Sequence, residues 1–203
     1  MTPDEIKLFL QTREPLRQRT ISIVDFGNVE KWKNSLGWRV GIQELALLVK
    51  HFSQGSRFLR RFYYGADYGQ DDSNTIMVPW SEAILRRANI NGFEVINKRV
   101  KYIHSVKNVM GFEKKCDLDV DMAIDLIQER NNYDEIVLFS GDGDLVRALK
   151  YLKKIYGKKN IVMSARGHIG KEVIEAKANG IVDEILFAED FEYRLNMDRF
   201  KKH

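Results

Sequence analysis

The feature that most constrains this chain is a buried-strand pattern that ends in two aspartates. Residues 136–139 read Ile-Val-Leu-Phe, an apolar and β-branched run typical of a strand inside a sheet. The run stops at Ser140-Gly-Asp-Gly-Asp144, where a helical pattern takes over. In open α/β sheets, ligands bind at the carboxyl ends of the strands. Asp142 and Asp144 are therefore candidate site residues, although an N-cap and an acid in the first helical turn would explain them equally well.

Strand and helix patterns alternate along the chain. Apolar runs predict strands at residues 20–26, 57–65, 92–97, 136–139, 160–164 and 182–187. Helical patterns lie at 3–13, 42–52, 79–91, 117–130, 144–156 and 168–179. This alternation predicts an α/β fold with a mainly parallel sheet of about five to six strands. Because no linker divides residues 1–203, we expect a single domain, with a core at about 20–187 and extensions at 3–13 and 189–203.

Composition narrows the class of protein. The chain is 44% hydrophobic and 31% charged, as in soluble globular proteins. It has no apolar run of membrane-spanning length and no signal-peptide pattern at its N-terminus, so we expect no membrane contact and a cytoplasmic location. The single Cys116 excludes internal disulfides and Cys-rich zinc sites. A net charge of +4 is compatible with nucleic-acid binding.

One further acid ends the first strand. Asp25 follows a run of Ile and Val and precedes Phe26, so a carboxylate there needs a partner. An Asp that caps the next turn through its own backbone is the simpler explanation. Asn28, three residues later, would serve as that cap instead, which leaves Asp25 available for a site.

The helix predicted at 117–130 carries another acid on its apolar side. On a helical wheel, Asp117, Asp121 and Asp125 share one polar face that is expected to be solvated. Asp119 falls on the opposite side, among Leu and Met residues. A carboxylate that contradicts the apolar pattern in this way indicates a function.

Four acids from three separate segments meet at one sheet edge if the first and fourth strands are neighbours. They are Asp25, Asp119, Asp142 and Asp144. Clustered carboxylates repel one another and require a cation. Oxygen ligands without Cys or a His pair suit Mg²⁺ or Mn²⁺. Such an ion can orient and activate a water and shield the charge that develops on a phosphodiester. Asn28 would hold Asp25 or a metal-bound water, and Ser140 would orient an aspartate or contact a phosphate.

Three blocks carry these residues, in the order Asp25-Phe-Gly-Asn28, Asp119-Val-Asp-Met-Ala-Ile-Asp125 and Ser140-Gly-Asp-Gly-Asp144. Together they resemble the NYN domain family, a branch of the PIN-like nucleases, over about residues 20–187. The resemblance implies a PIN-like three-layer α/β/α sandwich, a divalent-metal site and ribonuclease activity.

The resemblance also implies roles for individual residues, by position in the blocks. The metal-site and catalytic acids are Asp25, Asp119, Asp142 and Asp144, with Asn28 as a further catalytic residue and Asp125, Ser140 and Asp117 in support. Many family members have Lys-Gly-Val before the helix, whereas this chain has Lys115-Cys-Asp-Leu118. This departure leaves open whether Asp117 or Asp119 faces the metal.

Basic residues gather just before the acid-bearing helix. Residues 98–115 read as a long loop, with a short hairpin expected around 100–103 and with Tyr102 and Phe112 placed for stacking on single-stranded RNA. The predicted RNA-binding residues are Lys98, Arg99, Lys101, Lys114, Lys115 and, at the end of the fifth strand, Arg166.

These observations predict a metal-dependent ribonuclease that acts on single-stranded or structured RNA. An RNA-binding or scaffold protein with the same fold and little catalysis is the alternative. A Toprim-like domain would need Glu where Asp25 stands, and a phosphoaspartate phosphatase would need an Asp-x-Asp after the first strand. Aromatic residues of the basic tail, Phe191, Tyr193 and Phe200, leave a homo-oligomer open.

Overall fold

The structure, a computed structural model, describes residues 2–12, 19–52, 58–104 and 111–198. The first half of the chain contains, in order, α1 (Pro3–Thr12), β1 (Thr20–Asp25), α2 (Phe26–Lys31), α3 (Lys33–Leu36), α4 (Ile42–Phe52), β2 (Phe58–Ala66), α5 (Pro79–Ile90) and β3 (Glu94–Arg99). The second half contains β4 (Lys101–His104), β5 (Phe112–Lys115), α6 (Asp119–Gln128), β6 (Glu135–Phe139), α7 (Val146–Tyr156), β7 (Lys159–Ser164), α8 (Lys171–Ala178), β8 (Glu184–Phe187) and α9 (Glu192–Leu195).

Six strands form one sheet in the order β3-β2-β1-β6-β7-β8, and every neighbouring pair is parallel. The predicted parallel α/β sheet is therefore confirmed. The strand order reverses between β1 and β6, which makes this pair the topological switch point. The hairpin expected near 100–103 is present as the antiparallel pair β4–β5, whose connecting residues 105–110 lie outside the described chain.

Two hydrophobic cores cover the two faces of the sheet, because successive side chains of a strand point to opposite faces. Val24 and Val137 contribute to one core, with α2, α4 and α5 above them. Ile23 and Leu138 contribute to the other, with α6, α7 and α8. The result is the expected three-layer α/β/α sandwich.

The segment after β1 differs from its predicted form. The strand prediction includes Phe26 and ends at a break formed by Gly27-Asn28, whereas the structure starts α2 at Phe26 and continues into α3. Phe26 is almost fully buried, with its ring centroid 4.7 Å from that of Phe62 and 5.7 Å from that of Tyr64. Tertiary packing therefore stabilises a helical turn that its Gly and Asn do not favour.

The C-terminal segment packs on its own chain as far as it is described. Phe191 and Leu195 are fully buried in the core beside α4. Phe191 is therefore not available to contact a second copy of the chain, and Phe200 lies outside the described residues. Within the described ranges, no helix has both the length and the apolarity needed to cross a bilayer.

Candidate metal centre

Asp25 and Ser140 lie side by side at the switch point. Val24 pairs with Phe139 in the sheet, so the next residue of each strand projects over the α6 face. The Ser140 hydroxyl donates to Oδ2 of Asp25 at 3.0 Å, and the backbone N–H of Asn28 donates to Oδ1 at 3.1 Å. Asp25 is therefore the N-cap of α2 as well as a member of the acidic edge.

Hydrogen bonds fix the loop after β6. Ser140 is fully buried, and its Oγ accepts the N–H of Asp142 at 3.2 Å. Oδ1 of Asp142 accepts the N–H of Asp144 at 3.1 Å. Oδ1 of Asn28 accepts the N–H of Gly141 at 3.2 Å. Through its side chain, Asn28 thus ties α2 to the acid-bearing loop, while its backbone N–H holds Asp25.

The two glycines of this loop permit close packing. A Cβ atom on Gly141 would lie 2.0 Å from the carbonyl oxygen of His168, and one on Gly143 would lie 2.6 Å from a carboxylate oxygen of Glu172. Real Cβ atoms do not approach other atoms so closely. The loop therefore needs glycine at Gly141 because the neighbouring atom belongs to the backbone.

Three acids converge from α6 and the β6–α7 loop. One carboxylate oxygen from each of Asp119, Asp142 and Asp144 lies within 4.8 Å of the others. Among the acidic, histidine and cysteine side chains of the described residues, these three form the group whose spacing could hold a metal ion. A set made only of carboxylates fits Mg²⁺ or Mn²⁺ rather than zinc. Asp25 lies outside this set of three.

Burial and like charges shift the pKa values of the partly buried Asp119 and Asp25 upward. Burial and then the charges of Asp142 and Asp25 raise the pKa of Asp119 to about 6. Burial is also the main cause that raises the pKa of Asp25, against the hydrogen bonds from Asn28 and Ser140. Ionised carboxylates in this arrangement destabilise one another, and a bound cation would relieve that repulsion.

Two further acids named in the sequence analysis lie away from this group. Asp117 precedes α6 and is exposed, so Asp119, and not Asp117, faces the other acids. Asp125 accepts a hydrogen bond from the Tyr63 hydroxyl and lies 3.2 Å from Nη1 of Arg61. The wheel placed Asp125 on a solvated face, and this was wrong because Arg61 and Tyr63 come from a distant strand.

A cleft of about 540 Å³ opens beside the acids. Asp25, Asp119 and Asp142 line it, together with residues of α2 and of the start of α5. Of the six predicted RNA-binding residues, all of which are described, Lys114 is the one that lines the cleft.

The other predicted RNA-binding residues lie outside the cleft, and three of them make contacts within the protein. Lys98 contacts the Asp117 carbonyl and the Asp121 carboxylate. Arg99 donates to the carbonyls of residues 71 and 74. Arg166 pairs with a carboxylate of the C-terminal segment, at 3.1 Å. Lys101 and Lys115 are exposed partners across the β4–β5 hairpin.

Sequence reasoning missed several residues of the cleft. Lys31 and Lys33 line it and follow Asp25 closely in the chain, a signal that was available in the sequence. Asp67 and Trp80 also line it, but no motif points to them. Tertiary folding alone brings these two residues to the acids.

The parallel sheet and the acids at its switch point define a PIN-like α/β protein. The model of the NYN domain matches residues 19–184, and the chain therefore belongs to the NYN domain family. The family predicted from the three blocks is confirmed.

Known proteins that are similar to this chain include one sequence relative and one solved structure. The low amplitude and bright protein LabA of Synechococcus elongatus is 36% identical over 85 residues, which are 42% of this chain and 45% of LabA. The match thus spans less than half of that relative. A crystal structure of a Vibrio parahaemolyticus protein of unknown function has a TM-score of 0.62 and 20% identity, over 86% of this chain and 94% of that one. This likeness shows the fold.

Proposed function

We propose that this protein is a metal-dependent ribonuclease that hydrolyses RNA phosphodiester bonds with Mg²⁺ or Mn²⁺ as cofactor. The observation that carries the proposal is the convergence of Asp119, Asp142 and Asp144 oxygens within 4.8 Å, beside a cleft that Asp119 and Asp142 line. Membership of the NYN family supports RNA as the substrate. We place the activity in the cytoplasm, in keeping with a chain that has a single cysteine and so forms no internal disulfide.

Each residue of the site has a separate part in this proposal. Asp119, Asp142 and Asp144 would hold the ion, which would lower the pKa of a water and shield the charge that develops on the phosphodiester. Asp25 lies next to them and fixes the loop through Ser140. Asn28 holds the same loop from the side of α2.

The cations of the cleft contact the RNA backbone. Lys31, Lys33 and Lys114 line the same cleft as the acids, so they can reach phosphates that flank the one at the metal. Positive charge in the same cleft offsets the repulsion between RNA and the aspartates. The cleft is therefore suited to a polyanion that enters beside a bound cation.

A cleavage assay tests the proposal. Labelled single-stranded RNA, duplex RNA and DNA are incubated with Mg²⁺ or Mn²⁺, with EDTA as a control. We expect cleavage of RNA that requires the metal and disappears in Asp142→Asn. Glu175→Gln serves as the matched control, because Glu175 is an exposed acid of α8 outside the cleft.

Two outcomes would contradict the proposal. Cleavage that survives in Asp142→Asn would show that these acids do not form the site. An absence of cleavage, with RNA binding that weakens as salt increases, would favour a binding protein with an NYN fold.

A further inference from the structure

The acid cleft contains an aromatic side chain that hydrolysis itself does not use. Trp80, the second residue of α5, lines the cleft together with Asp119 and Asp142 and is 49% exposed. The other two tryptophans differ, since Trp32 is fully buried and Trp38 packs against the core. Trp80 is thus a large ring held at the edge of a cleft where a charged substrate is expected.

A cation fixed by a buried carboxylate accompanies this ring. Nζ of Lys114 lies 5.0 Å from the centroid of the Trp80 ring and 5.5 Å from that of Tyr102. The same Nζ lies 2.8 Å from Oδ2 of Asp67, whose side chain is only 2% exposed. The Tyr102 hydroxyl also donates to Asp67 at 2.8 Å. The buried carboxylate therefore holds Lys114 and Tyr102 in place beside the indole.

Electrostatics keeps Asp67 charged. Burial would raise its pKa, but hydrogen bonds from Lys114, from the N–H of Gly69 and from the Tyr102 hydroxyl outweigh burial and lower the pKa. The Lys114 side chain is still half-exposed, so it can contact a phosphate while it pairs with Asp67. A positioned aromatic ring and a positioned cation are the two elements of a stacking site for single-stranded nucleic acid.

We propose that Trp80 stacks on an unpaired nucleobase of the RNA whose backbone lies at the acids, and that it thereby selects single-stranded over duplex RNA. Lys114 contacts a phosphate beside that base. In a duplex both faces of an internal base are covered by its neighbours, whereas an unpaired base offers a free face to the indole. The inference rests on the proposed function for its substrate class, RNA.

Binding measurements test the inference without cleavage. A short single-stranded RNA is titrated by fluorescence anisotropy in the Asp142→Asn background with Mg²⁺, and with the unmodified protein in EDTA. Trp80→Leu keeps an apolar side chain and removes the aromatic face. We expect it to weaken binding by about 5- to 150-fold, as loss of one stacked base does, and Trp80→Phe to weaken it less. Ile90→Ala is the matched control, an exposed apolar residue of the same helix outside the cleft.

An abasic series identifies the stacked base. A series of RNAs is made in which one abasic ribose occupies each position in turn. The affinity of each RNA is measured for the parent protein and for Trp80→Leu. At one position of the RNA, we expect the missing base to lower the affinity of the parent protein but to cause no further loss of affinity in Trp80→Leu. Duplex RNA should bind Trp80→Leu and the parent protein equally.

The outcomes separate the inference from the proposed function. Equal binding of single-stranded RNA by Trp80→Leu and its parent overturns the inference while metal-dependent cleavage, if present, still supports the ribonuclease. Trp80-dependent binding without any cleavage supports the inference and overturns the ribonuclease. A parent protein that binds no single-stranded RNA overturns the inference whatever the cleavage assay shows.

Discussion

At the scale of single residues, the ionisation of Asp119 predicts how the stability of the protein depends on pH. Its pKa of about 6 in the folded protein exceeds the ordinary Asp value, so the folded state binds this proton more tightly than the unfolded chain does. Ionised Asp119 therefore destabilises the metal-free protein increasingly as the pH rises from about 4 through about 6. We expect Asp119→Asn to raise the free energy of unfolding at pH 8 by about 1–2 kcal/mol, after allowance for solvent screening.

Thermal unfolding at two pH values measures this effect. The gain in Tm for Asp119→Asn should be roughly 3–6 °C at pH 8 and clearly smaller at pH 4.5, where the folded carboxyl is already protonated. Addition of Mn²⁺ should raise the Tm of the parent protein more than that of the variant. An equal gain at both pH values would mean that burial and the neighbouring carboxylates do not raise the pKa of Asp119.

Asp125 is expected to affect stability rather than metal binding. Asp125→Asn keeps an acceptor for the Tyr63 hydroxyl but removes the charge facing Arg61, which is largely buried and retains Glu94 and Glu129 as partners. We expect a loss of about 1–2 kcal/mol in unfolding free energy. Calorimetric titration should show Mn²⁺ affinity close to that of the parent, whereas Asp119→Asn should lose about tenfold or more. A large loss of affinity in Asp125→Asn would assign Asp125 to the metal centre.

These two acids show what a helical pattern can and cannot predict. Asp119 was predicted because it contradicts the apolar face of its own helix, a signal contained in a few neighbouring residues. Asp125 was misplaced because its partner Tyr63 lies 62 positions away in the sequence. A helical wheel describes one helix and does not include the strand that packs against it.

At the scale of elements, the loop between β6 and α7 depends on Gly141. In Gly141→Ala, the new methyl group would meet the His168 carbonyl, which belongs to the backbone and cannot turn away as a side chain does. We expect a loss of about 2 kcal/mol or more in the free energy of unfolding, with weaker Mn²⁺ binding, because the loop also positions Asp142 and Asp144. Denaturant unfolding and metal titration measure the two effects.

Gly27→Ala is the matched control for this substitution. A Cβ atom on Gly27 meets only Oδ1 of Asp25, at an ordinary 3.5 Å, and Gly27 lies in α2, where Ala is favoured over Gly. We expect unchanged or slightly higher stability for Gly27→Ala. If Gly141→Ala were equally stable, the loop would have to move away from residues 164–168.

Elements predicted from the sequence are stabilised in a way that their own residues show, whereas the missed elements depend on packing against distant residues. β1 and β6 were predicted because fully buried strands are continuous apolar runs. The helix α2 was missed because Gly27 and Asn28 have turn preferences, which packing of Phe26 on two strand aromatics overrides. The hairpin β4–β5 was expected within the basic loop, around residues 100–103, but its anchor Asp67 lies in another loop far from it in the chain.

At the scale of the whole molecule, net charge is a poor guide to the RNA-binding surface. The chain carries +4, and six basic residues were predicted to contact RNA. Among them, Lys98, Arg99 and Arg166 hold other parts of the protein in place. Composition gives the number of charges, whereas the fold determines which of them face the cleft.

This distribution of charge predicts a weak dependence of RNA binding on salt. Each phosphate neutralised on a single strand contributes about −0.7 to the slope of log K against log salt concentration. With three cations in the cleft, Lys31, Lys33 and Lys114, a single-stranded hexamer should give a slope of about −2, whereas contacts to all six predicted residues would give about −4.

Substitutions separate the two sets of cations. Lys33→Ala should reduce the magnitude of the slope by about 0.7, because it removes one phosphate contact. Arg166→Ala should leave the slope unchanged, since Arg166 does not line the cleft and instead pairs with Asp190 and stacks on Phe187 at 4.0 Å. A slope near −4 that falls in Arg166→Ala would instead place the RNA along the outer basic residues. The strand would then approach the acids from the β7 side of the sheet and not through the cleft beside α2.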